Sequence, residues 1–321
     1  MNVEEIPAKL KETFDAARLG LADFRTQVLA KRVVLAIHDG GLQGAVVGAK
    51  GDLIDVPLPP GTCRQGQPQE IEAIGDLIGD LLLELNLAGA KVSACLPLQA
   101  CHWRVVSWPH GQMPESGSTE LRLLAPDLGI PWTLSDVYLA VEPLPGTPAR
   151  SLLVAAPRRL VDGWVEVFEL AGVQFQRLLP AQVCEWQVLA PAGTRTADED
   201  QERWFLELKR DYARLWLLAA GVPCADWTLP GQRRRDGLDP QLEEALLRCR
   251  RFWRQHRGDQ HRGDQPQASW CLYGAGESIT AAEADLQRLL GPLVPERWQP
   301  PEPGGLADLR LAGLKLCMGW Q

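Results

Sequence analysis

No two of the eight cysteines form a C-x-x-C pair, so neither a zinc knuckle nor a thioredoxin-type redox motif is present. Cys95 lies between Ala94 and Leu96, and Cys317 between Leu316 and Met318. Such settings read as small core residues in a reducing compartment, not as a disulfide framework. Positive charge is in deficit: 33 Lys and Arg against 41 Asp and Glu give a net charge of −8. That balance disfavours general binding to phosphate backbones. No apolar run reaches the length of a membrane span without a charge. Met1 to Asp15 carries several charges and no apolar block, so no signal peptide is expected. Catalytic pairs are also lacking. Cys101-His102 has no acidic orienter near it in sequence, and His256 and His261 recur because their loop recurs, not at ligand spacing. These absences predict a cytosolic protein without a metal site, attached to any membrane through a partner.

What is present is an ordinary globular chain. Its 321 residues are 45% hydrophobic and 23% charged, enough for one large two-lobed domain. Residues 1–31 repeat Leu10, Phe14, Ala17, Leu21 and Phe24 at helical spacing and predict a helical extension. A hairpin meander follows: strands at 32–37, 43–47 and 53–56, with turns at His38–Gly41 and Ala49–Asp52. Residues 57–69 read as a Pro/Gly loop, 70–87 as a helix with one wide apolar face, and 91–96 as a strand. Residues 97–150 change texture to strand, short helix and strand, an α+β insertion. A strand, helix, strand and short helix then run from 151 to 189, and the polar stretch 191–200 marks a lobe boundary. The second half starts over with a meander at 203–209, 214–219 and 224–229, then a helix at 239–256. HRGDQ occurs twice in tandem across 256–265 and predicts a solvated loop. A strand at 270–273, a helix at 279–290, a Pro-rich connection at 295–305 and a closing helix at 306–320 complete the chain.

Several separated segments carry a family resemblance. One is Ala90-Lys-Val-Ser-Ala-Cys-Leu-Pro with the alternating strand ending at Trp108-Pro109. Others are Ser135-Asp-Val-Tyr-Leu-Ala-Val-Glu-Pro-Leu and Leu311-Ala312-Gly313-Leu314. The most specific is Leu152-Leu-Val-Ala-Ala-Pro-Arg-Arg-Leu-Val-Asp, continuing to Leu170-Ala-Gly-Val. Together they resemble the PilM-like type IV pilus-assembly proteins of the actin/Hsp70-like ATPase superfamily, over roughly residues 32–320. The resemblance implies an α/β, actin-like (ribonuclease H-like duplicated) two-lobed fold with a small α+β inserted subdomain. The expected division is a 1–31 extension, a first lobe at 32–190 with the insertion at about 97–150, and a second lobe at 191–321.

The resemblance also implies a role and a partner. PilM-like proteins are scaffolds at the cytoplasmic face of the inner membrane that hold the short cytoplasmic tail of a PilN-like bitopic protein, alongside other pilus-assembly components. The alternatives are an active actin-fold ATPase of the same machinery, or the L-type cytoplasmic component of a type II secretion system. The tail is expected in a groove between the first lobe and the insertion, and Leu98, Trp103, Val105, Trp108 and Leu124 are its candidate lining. Trp103 and Trp108, five apart on one strand, would face opposite ways, one into a core and the other into the groove.

Actin-fold nucleotide sites use two Asp-x-Gly loops and a later Gly-rich loop, since carboxylates organise the metal and glycine lets backbone N–H groups reach phosphate. Here the first loop offers Asp39, Gly40 and Gly41, after His38. The second offers Glu207 in place of Asp, but Lys209 stands where the close-approach glycine belongs, and Tyr212 adds bulk. The third, with Gly274 and Gly276, is intact. The expectation is a vestigial nucleotide site without catalytic residues, so that ATP and Mg²⁺ are not required cofactors. Arg248, Arg250, Arg251, Arg254 and Arg257, with Arg233–Arg235, form a basic stretch that reads as a solvated face offset by Glu243 and Glu244.

Overall fold

The computed structural model describes residues 31–48, 53–108, 114, 119–144, 150–190, 202–209, 212–230, 238–256, 268–274, 276–290, 296–297 and 308–319. The 1–31 extension except its last residue, the HRGDQ repeat beyond His256, Arg233–Arg235 and Arg257 lie outside them.

The chain forms two compact units: residues 1–100, 157–181 and 318–321 in the first, 101–156 and 182–317 in the second. In the first unit, β1 (Arg32–His38), β2 (Gly41–Val46) and β3 (Leu53–Pro57) make an antiparallel meander. β4 (Cys63–Arg64) and β5 (Gln67–Pro68) form a small separate hairpin. Helix α1 (Ile71–Glu84) returns the chain to β6 (Lys91–Leu96), which lies parallel to β1. Val33 to Ile37 are all buried, the near-continuous apolar run expected of a strand covered on both faces.

In the second unit, β7 (His102–Ser107), α2 (Thr119–Leu128), β8 (Val137–Leu144) and β9 (Arg150–Pro157) build the insertion, with a sheet ordered β7-β9-β8. The chain then re-enters the first unit through α3 (Arg158–Leu170) and β10 (Gln174–Pro180), which pairs parallel with β6. The first sheet is thus ordered β10-β6-β1-β2-β3. The second unit resumes with α4 (Ala181–Leu189) and the strands β11 (Glu202–Leu208), β12 (Tyr212–Ala219) and β13 (Val222–Pro230). Next come α5 (Pro240–His256), β14 (Ser269–Gly274), α6 (Gly276–Leu290), β15 (Glu296–Arg297) and α7 (Leu309–Cys317). Its large sheet is ordered β13-β12-β11-β14-β15.

The two five-stranded sheets repeat one plan: a three-stranded antiparallel meander, then two strands added in parallel beside the first strand of the meander. The duplicated pattern read from the sequence is therefore present. Tryptophans form part of the second core, where Trp204 stacks on Trp270 at 5.1 Å and on Trp227 at 6.0 Å between ring centroids.

Two features differ from the expected layout. The stretch read as a Pro/Gly loop contains the β4–β5 hairpin. Its two turn residues, Gln65 and Gly66, have φ of 52° and 77°, the left-handed pair that a tight hairpin turn requires. Strands of two residues carry no periodicity to read. The insertion, expected with the first lobe, falls in the compact unit of the second sheet. The contacts of Trp103 described below supply the physical reason.

Candidate functional site

The first loop is the turn from β1 to β2. Asp39 accepts hydrogen bonds from the backbone N–H of Gln65 at 2.9 Å and of Gly66, and from the Gln99 amide at 3.3 Å. The Cys63 thiol lies 3.9 Å from the same carboxylate. Burial, then the neighbouring Asp39 charge, push that thiol up to about 12, so it is a neutral donor. The hairpin is held from behind as well, since Trp164 of α3 donates its indole N–H to the Gly66 carbonyl at 2.7 Å. Asp39 is thus the anchor of β4–β5. Gly40 completes the turn. A Cβ at Gly41 would stand 2.6 Å from the Val56 carbonyl, so packing within the sheet alone demands glycine there.

The second loop follows β11. Glu207 and Asp308 are both buried, and the Lys209 ammonium bridges them at 3.2 and 3.5 Å. Asp308 begins α7. Its carboxylate accepts the Arg310 backbone N–H at 2.8 Å and the Arg310 guanidinium through both oxygens. A helix N-terminus favours an acidic side chain there. Against the cost of burial, the charges of Arg310 and Lys209 hold the Asp308 carboxyl well below the usual range. Glu207 has no such fork. Its Oε2 is buried, with no hydrogen-bond partner among the described residues. Burial, helped by the Glu185 and Asp308 charges, pushes its carboxyl up to about 7 against the pull of Lys209. Burial would lower the Lys209 ammonium, but Glu207 and Asp308 outweigh it and hold the group above its ordinary value. Tyr212 lies beside the ammonium, its ring centroid 5.8 Å away.

The third loop is one strand over. β14 runs parallel to β11 with Leu208 opposite Gly274. A Cβ at Gly274 would stand 2.9 Å from the Leu208 carbonyl, and Gly276 opens α6. Glu207, Gly274 and Gly276 are therefore gathered at the carboxyl ends of two adjacent parallel strands, where open α/β sheets place ligands. Asp39, Gly40 and Gly41 belong to the other unit.

The candidate groove residues separate into three groups. Leu98 belongs to the first unit. Trp103 is committed inside the second: its ring stacks on Trp216 at 5.7 Å, and its indole N–H donates to Asp226 at 2.8 Å. Arg214, buried on β12, completes that cluster. It binds Asp226, Glu185 at 3.2 Å and the Thr228 hydroxyl at 3.2 Å, while Trp216 donates to Glu185 at 2.7 Å. Val105, Trp108 and Leu124 come together around one cavity of about 240 Å³ between β7 and α2, with Arg104, Val106, Ser107, Asp127 and Leu128. Trp108 is 4% exposed, and its indole N–H has no acceptor among the described residues. On α2, Leu123 is 75% exposed.

Sequence reasoning missed Arg214, Glu185, Asp226, Asp308 and Arg310. A lone arginine inside the apolar run of β12 was the available signal for the first, because a buried charge demands partners. An aspartate in the first turn of the expected closing helix was the signal for Asp308. The basic stretch on α5 is partly structural. Arg248 lies 3.9 Å from Glu244, and Arg250 donates to the Leu289 carbonyl at 3.3 Å.

No protein-family profile matches the chain, and no curated protein matches it. Solved structures do. One is a PilM-PilN type IV pilus biogenesis complex, 20% identical, with 89% of this chain and 98% of that chain covered at a TM-score of 0.64. A second is the cytoplasmic domain of EpsL, an inner-membrane component of the Vibrio cholerae type II secretion system. It is 14% identical over 89% of this chain and 95% of that one, at a TM-score of 0.47. A third is a Bacteroides thetaiotaomicron protein with an actin-like ATPase fold, 8% identical over 81% of this chain and 88% of that one, at 0.45. The fold is PilM-like.

The family resemblance read from the sequence implies a nucleotide with its metal. The side chains at the two candidate carboxylates do not fit one. Asp39 is saturated by N–H donors of its own unit, and Glu207 is closed by an ammonium from its own loop. Among the described residues, no three His, Cys, Asp or Glu side chains gather as a metal site would require. No helix among them is long and apolar enough to cross a membrane.

Proposed function

We propose that this protein is an assembly scaffold at the cytoplasmic face of an inner membrane, part of a type IV pilus or related machine. In this reading it grips the cytoplasmic tail of a PilN-like bitopic membrane protein and works without ATP hydrolysis. The observation that carries it is the cavity between β7 and α2. Three of the five residues expected as groove lining meet there, and the buried indole N–H of one of them, Trp108, lacks an acceptor among the described residues. A peptide supplies what such a site lacks: a carbonyl for the N–H and an apolar side chain for the space. β7 is also an edge strand of its sheet among the described residues, and edge strands favour extended peptides. The PilM-like fold, seen in a complex whose other named member is PilN, supports the same partner class. The engaged Asp39 and Lys209 favour a scaffold over an actin-fold ATPase.

Binding of a synthetic PilN-like tail peptide, followed by calorimetry, tests the reading. Leu124→Asp and Val105→Asp are expected to weaken it at least tenfold, because each places a charge against the apolar seat. Trp108→Phe is expected to weaken it less, by the loss of one hydrogen bond. Equal affinity for wild type and all three variants would sink the proposal.

A further inference from the structure

We propose that Lys209 is a tethered cation, supplying at the second loop the positive charge that a bound metal supplies in a working actin-like site. The inference rests on reading that loop as a vestigial nucleotide site. It adds that the chain itself supplies the positive charge there.

The argument begins with the two carboxylates. Glu207 is 4% exposed and Asp308 is 6% exposed. Buried carboxylates need a counter-charge close by, since little solvent reaches them. Asp308 has two, Arg310 and Lys209. Among the described residues, Glu207 has Lys209 as its cationic partner, and its second oxygen finds no donor. The Lys209 ammonium is 3.2 Å from one and 3.5 Å from the other, so a single cation joins two acidic groups that come from elements about a hundred positions apart. That is the electrostatic work of a metal ion, done by a side chain. The position is also telling. Lys209 directly follows β11, whose Leu208 is paired with Gly274 at the carboxyl ends of the parallel pair. In an actin-like site this is where a glycine admits a phosphate. Here the residue turns its charge inward, and its backbone N–H is used by the Tyr212 carbonyl at 3.0 Å.

The neutralising role predicts dependence on charge, not on shape. The full chain is tested as wild type, Lys209→Ala and Lys209→Ala/Glu207→Gln, by thermal unfolding with and without about 5 mM MnCl₂, MgCl₂ or MgATP. Wild type is expected to show no shift with any of the three. Lys209→Ala is expected to melt several degrees lower, and Mn²⁺ to recover part of that loss. The double variant removes both charges and is expected to melt above Lys209→Ala and to ignore Mn²⁺. A wild type stabilised by MgATP, or a Lys209→Ala protein that melts like wild type, would overturn the inference. If Lys209→Ala does not fold, the double variant decides: its folding supports the counter-charge role, and its failure overturns it. Tail-peptide affinity, measured on the same wild-type protein, separates this outcome from the fate of the scaffold reading.

Discussion

The indole N–H of Trp103 donates to the carboxylate of Asp226 at 2.8 Å, across 123 positions of sequence. The same carboxylate binds buried Arg214, and the Trp103 ring lies on Trp216. One side chain on the insertion thus enters a charge cluster built on β12, β13 and α4.

Trp103 and Trp108 are predicted to respond differently to the same change. Trp103→Phe keeps an aromatic ring but removes a donor to a charged acceptor, a loss of about 1.5–3 kcal/mol. Trp108→Phe removes an N–H that has no acceptor, so the lost volume is offset by the loss of a buried unsatisfied group. Urea unfolding of the two variants checks this. Equal midpoints for both would show that the Trp103 hydrogen bond contributes nothing.

Asp39→Asn tests the anchor role of the first loop. An amide keeps one oxygen for an N–H donor but turns the other position into a donor facing N–H groups. The expected cost is about 1–3 kcal/mol, the range for losing charged hydrogen bonds. Amide exchange at Gln65 and Gly66 is expected to accelerate more than exchange in β1. Uniform acceleration through the first unit would mean that Asp39 supports the whole sheet and not the hairpin.

How these two sites read in the sequence is instructive. β1 and β6 are legible to within a residue, because each has a clear apolar run and a clear stop. The repeated meander was legible for the same reason. The role of Asp39 was not, because its partners come from a hairpin of two-residue strands in a segment that reads as loop. Position 209 was singled out for its side chain, yet its partner Asp308 lies 99 positions later, and nothing local links them. Of the five residues expected as groove lining, Val105, Trp108 and Leu124 meet around one cavity. Trp103 does not join them, because alternation says which face a residue takes, but not which of two cores will claim it.

The Glu207 carboxyl moves from an ordinary 4.5 to about 7 on folding, driven first by burial. The groups facing it are Lys209, Glu185 and Asp308. Because the folded chain holds this proton more tightly, the contribution to stability is fully present below about pH 4.5 and is lost as pH rises through 7. Its size is at most about 3 kcal/mol. Asp308 acts in the opposite sense: its folded value is depressed, so its contribution is present above its ordinary 3.8 and is lost at lower pH. Urea midpoints between pH 5 and 8 are therefore expected to fall for wild type and to flatten in Glu207→Gln. Parallel curves for the two proteins would contradict the assignment.

Gly313 carries the sharpest steric prediction. A Cβ built on it would stand 1.8 Å from the Cys184 carbonyl oxygen and 2.3 Å from the carbonyl carbon. Helix α7 therefore rests directly on the backbone of α4, which cannot yield as the end of a flexible side chain would. Helix propensity alone favours Ala over Gly by about 1 kcal/mol, so Gly313→Ala should stabilise if packing were indifferent. The contact reverses that sign. The expected result is a loss of about 3 kcal/mol or more, with α7 displaced and Asp308 drawn away from Lys209. Leu316→Ala, at a position 40% exposed on the same helix, is expected to cost less than about 1 kcal/mol. Thermal unfolding of the two variants side by side distinguishes a backbone contact from general sensitivity of the helix: comparable losses would mean that α7 tolerates no change anywhere, and a stabilised Gly313→Ala would mean that the two helices stand further apart than described.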